Sequence, residues 1–149
     1  MKNFKEFQFG WLIFALMMPI QLLILYLYVN HIGNHPIEKP GFILINSLFG
    51  VIYLLFYGLT TSISENKITL RFGIGIIRKN IELNRVTRVY DTQIPWYYGS
   101  GIKFVPKGVV YNISGSKGVE LSLNDSTKAI IIGSRNPMKL KEEIEKRLV

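Results

Sequence analysis

Two stretches without a charged residue, positions 9–29 and 41–59, dominate the pattern of the chain, and the polar segment 30–39 separates them. The first holds 21 residues, which as a helix is roughly 31 Å long and matches the ~30 Å hydrocarbon core of a bilayer. The second, of 19 residues, fits the same span. A cleaved signal peptide is not expected, because the first stretch exceeds a signal core, no small-residue cleavage pattern follows it, and a second span comes soon after. Trp11 stands near one end of the first stretch and Tyr26 and Tyr28 near the other, where amphipathic rings lie at headgroup level. Pro19 removes a backbone donor and predicts a kink, and Pro40 suits the first position of the second helix. Gln21 and Asn46 are the polar residues of note inside the spans. Counted from the same side they lie at one depth, which predicts an intramembrane amide pair that fixes helix register.

Beyond position 61 the period changes from helix to strand. Ile68, Leu70 and Phe72 alternate with Lys67, Thr69 and Arg71, the signature of a strand with one dry face. Further strands are predicted at about 76–83, 86–90, 101–105, 109–113, 119–123 and 129–132, with a loop over 91–98 and turns at 106–108, 114–118 and 124–127. Asn136 followed by Pro137 is a helix start, and Leu140, Ile144 and Leu148 repeat at i, i+4 and i+8 on one face. Glu142 with Lys146 and Glu143 with Arg147 are in the favourable i, i+4 order on the other face. The expected fold is α+β, a transmembrane helical hairpin in residues 1–61 and a domain of about seven antiparallel strands closed by a C-terminal helix in residues 62–149.

Charge adds a direction to this plan. Of the net charge of +8, most lies beyond position 59, where fifteen Lys and Arg stand against eight Asp and Glu. Lys2, Lys5, Lys67 and Arg71 flank the outer ends of the hairpin, whereas the connector holds one Lys and one Glu. The positive-inside bias predicts both termini and the β domain in the cytoplasm, with the chain multi-pass in the cell (inner) membrane. Beside two membrane helices, a basic surplus points to that bias and to anionic lipid, and no nucleic-acid partner is expected.

Candidate chemistry is sparse. With no cysteine there is neither thiolate catalysis nor a thiolate metal site, and residues 60–149 hold no histidine. The acids of that region are scattered singly or lie on the wet face of the last helix, so no catalytic residue is expected. Gly73-x-Gly75 and Gly99-x-Gly101 lack the third glycine and the strand-to-helix setting of a dinucleotide fingerprint, and no Walker-type Gly-Lys-Ser/Thr occurs. His31 and His35 belong to a Gly- and Pro-containing connector, so neither a metal nor a cofactor is expected. The sequons at Asn112 and Asn124 fall in a strand and a turn on the cytoplasmic side.

The order of elements, together with Ile94-Pro95-Trp96-Tyr97-Tyr98-Gly99-Ser100-Gly101-Ile102-Lys103 and with Ile132-Gly133-Ser134, Asn136-Pro137 and Leu140, resembles the bacterial small membrane proteins that join a two-helix hairpin to a pleckstrin-homology-like domain, a family of unknown function. The first segment is similar to that family's aromatic, G-x-G-I-R/K stretch and the second to its entry into the last helix. The resemblance implies a PH-like antiparallel barrel or sandwich. The turn over 72–76 lacks the lysines and arginines of inositol-lipid-binding PH domains, so that recognition is not implied.

Trp96, Tyr97 and Tyr98 beside Gly99 and Gly101, with Lys103, are read either as a binding surface or as a cover over the barrel end. Arg71, Arg78, Lys103 and Lys107 are the candidate contacts for anionic lipid. The expected function is that of a non-enzymatic, membrane-anchored interaction or scaffold module. Its expected partners are membrane lipids and another membrane protein or a second copy of itself as a homo-oligomer. An anionic-lipid headgroup sensor, or an accessory subunit of a membrane complex, is the alternative.

Overall fold

A computed structural model describes residues 4–148; Lys2, one of the cations behind the predicted orientation, lies outside the described residues. The elements run β1 (Phe4–Phe9), α1 (Trp11–Val29), α2 (Lys39–Phe56), β2 (Gly58–Ile63), β3 (Lys67–Phe72), β4 (Ile77–Glu82), β5 (Val86–Gln93), β6 (Gly101–Val105), β7 (Gly108–Asn112), β8 (Lys117–Leu123), β9 (Ser126–Gly133) and α3 (Pro137–Glu145). They form a first sheet in the order β1-β2-β3-β4 and a second in the order β5-β8-β9-β7-β6. The fold is α+β as expected. The described strands number nine in two sheets, not about seven; they are not all antiparallel, since β7 and β9 pair in parallel, and strand pairing does not close them into a barrel.

The two additional strands flank the hairpin. β1 pairs antiparallel with β2 from Phe4↔Ile63 to Phe9↔Gly58, so the apolar hairpin is an insertion between two neighbouring strands of one sheet. The boundary predicted at residue 62 therefore falls inside β2, and Leu59 is a buried strand residue rather than the end of a helix. β1 escapes detection because its polarity is inverted. Glu6 and Gln8 face the core side, whereas Phe7 and Phe9 are exposed. Those inward polar groups cross to the second sheet: Gln8 Nε2 donates to the Gly133 carbonyl at 2.6 Å, and the Glu6 carboxylate accepts from Ser134 Oγ at 2.7 Å and from Arg135 N at 2.6 Å.

The junction with the hairpin is short. Only Gly10 separates β1 from α1 and only Tyr57 separates α2 from β2, and Gly10 N donates to Tyr57 O at 2.8 Å. A Cβ at Gly10 would lie 2.7 Å from Phe56 O, and one at Gly58 would lie 2.4 Å from the Phe7 ring, so glycine permits the close approach at both exits. The β3–β4 turn docks on the same junction through Ile74 N, which donates to Leu54 O at 3.1 Å.

Both α1 and α2 are long and apolar enough to cross a membrane, and no residue in either is buried. They meet through stacked rings, Phe14 on Tyr53 at 4.5 Å and Tyr28 on Phe42 at 4.1 Å. The expected Gln21–Asn46 pair does not form. Gln21 Oε1 instead accepts from the Tyr53 hydroxyl at 2.9 Å, and Asn46 Nδ2 turns back to the Phe42 carbonyl at 2.9 Å. The Asn46 amide satisfies itself on the carbonyl one turn back in its own helix, and the Tyr53 phenol reaches the Gln21 amide across the helix pair.

The main core lies between the sheets and α3. It combines Leu59, Ile68, Leu70 and Phe72 of the first sheet with Val119, Leu121 and Ile132 of the second, and Leu140 and Ile144 of α3 close it. The unbroken apolar run of β9 is explained by burial on both faces, since Ile131 packs with Ile94 and Val110 in a second cluster on the opposite side. Asn136 Oδ1 caps α3 by accepting from Lys139 N, as its place before Pro137 predicts.

The two expected helix pairs are present, Lys146 with Glu142 at 2.8 Å and Arg147 with Glu143 at 2.7 Å. A hydrogen bond from Arg147, more than any other influence, holds the Glu143 carboxyl below its ordinary range. A carboxyl lowered in the folded chain stabilises it above the ordinary carboxylate pKa, and that contribution is lost as pH falls through the lowered value. The thermal midpoint should therefore be higher than that of Glu143→Gln at neutral pH, and the gap should narrow on acidification below the ordinary carboxylate range. A gap independent of pH would refute the pairing.

Candidate functional site

The far end of the β domain, opposite the hairpin, holds the turns with Glu65, Glu82 and Asp125 together with Lys67, Arg85 and Lys128, and Lys107 lies there too, in the turn between β6 and β7. That position removes Lys107 from the group of Arg71, Arg78 and Lys103 with which its charge had placed it. The hairpin end carries Arg71, Lys103, Lys117 and Arg135 in three recesses around the base of α1 and α2, with Arg78 beside them; Lys5, paired with Ser62 toward the other end of β1, lines one of these recesses from further away. Among the described residues none of these six cations has an ion pair, whereas Arg85, Lys141, Lys146 and Arg147 each have one.

The first recess, about 400 Å³, opens on the outer face of the first sheet. Lys5, Arg71, Tyr57, Thr60 and Ser62 line it without an acid. Arg78 stands directly opposite Arg71 in the β3–β4 ladder, and like charges in that position repel unless an anion screens them. The exposed Ile74 and Ile76 lie in and beside the turn joining these two strands.

The second recess, about 400 Å³, lies between Phe9 and Trp11 on one side and the loop 114–117 with Ser134 and Arg135 on the other. The third is a shallow apolar cleft of about 310 Å³ lined by Ile13, Leu16, Met17, Ile52 and Phe56, over which Ser100, Gly101 and Lys103 of the edge strand β6 project. Gly101 (φ +103°) starts that strand, and a Cβ there would lie 3.7 Å from the Phe56 ring.

Of the aromatic stretch, Tyr98 packs into the second cluster with Ile94, whereas Trp96 is 87% exposed and Tyr97 67% exposed. The rings of Trp96 and Tyr97 are therefore not a cover over the core. They stand in edge-to-face contact at 6.1 Å, on a short helical turn that ends at Gly99 (φ +64°). The structure thus brings Arg71 together with Arg78 and sets Gly101 and Lys103 against the hairpin, while Trp96 and Tyr97 present a separate exposed patch.

The sequence does not single out Lys117 and Arg135, and it marks Lys5 only as a cation flanking the hairpin. Lys5 sits in an inverted strand, and Ser114-Gly115-Ser116-Lys117 reads as turn residues alone. The groups with displaced pKa values lie elsewhere: burial pushes the Tyr111 phenol up, and bonds to Glu142 and Tyr90 raise Lys146 and Arg88 respectively. Among the described residues no three His, Asp or Glu side chains converge as a metal site. Comparison with protein-family models, with curated proteins and with solved structures finds no match for the chain.

Proposed function

We propose that the chain is a non-enzymatic, membrane-anchored module whose β domain faces the anionic headgroups of the membrane crossed by its hairpin. The observation that carries this reading is the insertion of α1 and α2 between two paired strands, with the Phe9↔Gly58 pair at the base. A domain joined through one residue on each side cannot swing away on a linker, so its hairpin end, with the unpaired Arg71, Arg78, Lys103, Lys117 and Arg135, stays at headgroup depth. Each Lys or Arg near such a surface contributes about 1 kcal/mol, so several together give a lasting preference for anionic lipid. In this reading the charge bias puts the domain on the cytoplasmic face, and two packed sheets closed by a C-terminal helix resemble the PH-like plan without its inositol-lipid loop, the parallel β7–β9 pair being a departure from it.

The full chain, purified in detergent and offered equal amounts of phosphatidylcholine and phosphatidylglycerol, should retain the anionic lipid severalfold more by native mass spectrometry. The preference should weaken with salt. Equal retention of the two lipids at low salt would refute the reading.

A protein partner is the second reading, favoured by the unpaired edge of β6, where Phe104 is 86% exposed. Antiparallel pairing of two β6 strands would turn their hairpins to opposite sides. A second copy in the same membrane is therefore not the partner for this edge.

A further inference from the structure

The second recess holds features that general surface attraction does not need. Loop 114–116 joins β7 to β8 at the hairpin end, with Gly115 at φ +105° and open space where a Cβ would stand. Among the described residues the hydroxyls of Ser114 and Ser116 have no partner, and the backbone N–H groups of Ser114, Gly115 and Ser116 meet no acceptor. The loop is nonetheless held in place. Asn112, only 3% exposed, donates through Nδ2 to Gly115 O at 3.1 Å, and Ser116 O accepts from Ile94 N at 2.8 Å.

Lys117 follows the loop directly, and Arg135 reaches the same recess from the segment after β9. One acid is close. The Glu6 carboxylate is occupied by Ser134 Oγ at 2.7 Å and Arg135 N at 2.6 Å, which leaves the recess a net positive charge and removes Ser134 as a donor to a ligand. A small concave loop of unpaired N–H and O–H donors between two unpaired cations is the donor set that a phosphate takes. Trp11 and Phe9, both exposed, form the opposite wall at the mouth of α1, where amphipathic rings mark headgroup depth.

We propose that Ser114, Gly115, Ser116, Lys117 and Arg135 bind a single phosphate group, the hydroxyls and loop N–H groups donating to its oxygens and the two cations neutralising it. The site rests on the surface-facing reading for its depth, but its chemistry is a property of the loop. The phosphate comes either from a lipid headgroup or from a soluble phosphate.

The test uses the full chain in nanodiscs, following the amide NMR signals of Gly115 and Ser116. Three arms are compared: phosphatidylcholine alone, phosphatidylcholine with phosphatidic acid, and phosphatidylcholine with inorganic phosphate in solution. Phosphatidic acid is expected to shift both signals and to leave those of Val119 and Ile132 in place. Lys117→Gln with Arg135→Gln should weaken the response about tenfold, whereas Arg71→Gln with Arg78→Gln should leave it intact.

A shift with inorganic phosphate alone supports the same site and identifies the soluble source. Silence of the loop signals in both phosphate arms, or an undiminished response in the Lys117/Arg135 variant, overturns the proposal. If that variant loses the Val119 and Ile132 signals and hence its fold, Ser114→Ala with Ser116→Ala decides by the same criterion. Equal retention of charged and neutral lipid with a persisting response to inorganic phosphate would reject the surface-facing reading and leave the site standing.

Discussion

Gly73→Ala is expected to destabilise the chain by about 2–4 kcal/mol, as measured by urea unfolding of the full chain in detergent micelles. Two costs combine at this position. Gly73 has φ +50°, which costs a residue with a Cβ roughly 1–2 kcal/mol. Its Cβ would also stand 2.0 Å from Leu54 O, a backbone atom in the last turn of α2 that cannot move aside without disturbing the helix. Relief would require the β3–β4 turn to lift from the hairpin and break the bond from Ile74 N to Leu54 O, so the Ile74 amide should lose hydrogen-exchange protection. Gly99→Ala supplies the comparison, because Gly99 has φ +64° with open space around it and should show only the conformational cost. Undiminished hydrogen-exchange protection of the Ile74 amide in Gly73→Ala would mean that the turn does not dock on the hairpin.

Replacing residues 10–57 with Asn-Gly, so that Phe9 runs through a two-residue turn into Gly58, is expected to give a folded domain that no longer requires detergent. Phe9 and Gly58 are the last partners of an antiparallel ladder, the position that a tight hairpin turn joins in other sheets. The replacement loses the packing of Ile13 and Phe56 against the core edge, at a cost of about 2–4 kcal/mol, and exposes the Leu54 contact of the turn. Both sheets keep all their strands.

A chain beginning at Ser62 should instead fail to fold. It lacks β1 and the first four residues of β2, so it loses the fully buried Leu59 and Gln8 and leaves Leu70 and Phe72 paired with β4 alone, on a newly exposed edge. The measurement is cooperative thermal unfolding of the two products by circular dichroism. A transition for residues 62–149 as sharp and as high as that of the joined domain would refute the insertion as the basis of the fold.

Much of this architecture is visible as periodicity. The apolar runs mark both helices, the alternation of Ile68, Leu70 and Phe72 marks β3, and the continuous run at 129–132 marks a strand buried on both faces. Asn136-Pro137 with Leu140 and Ile144 marks the start and the inner face of α3. Each signal is local, because a strand with one dry face or a helix with one apolar stripe writes its environment into its own residues.

β1 writes the opposite message, since its inward Glu6 carboxylate and Gln8 Nε2 find their partners in Ser134, Arg135 and Gly133, more than 120 residues away. Gln21 likewise has its partner set by the rotation of α1 against α2, which brings Tyr53 rather than Asn46 within reach. The cationic recesses follow the same division. Net charge and its bias toward residues 60–149 are matters of composition, but the gathering of Arg71, Arg78, Lys103, Lys117 and Arg135 around the hairpin depends on strand register and sheet order.

Composition and period are thus enough to identify two apolar helices, a strand-rich basic domain and its closing helix. The insertion of the hairpin into a sheet, the inverted first strand and the gathering of unpaired cations around the hairpin arise only when distant segments meet. Long-range pairing can satisfy a polar group or assemble a charge cluster while leaving no periodic trace in the neighbouring residues.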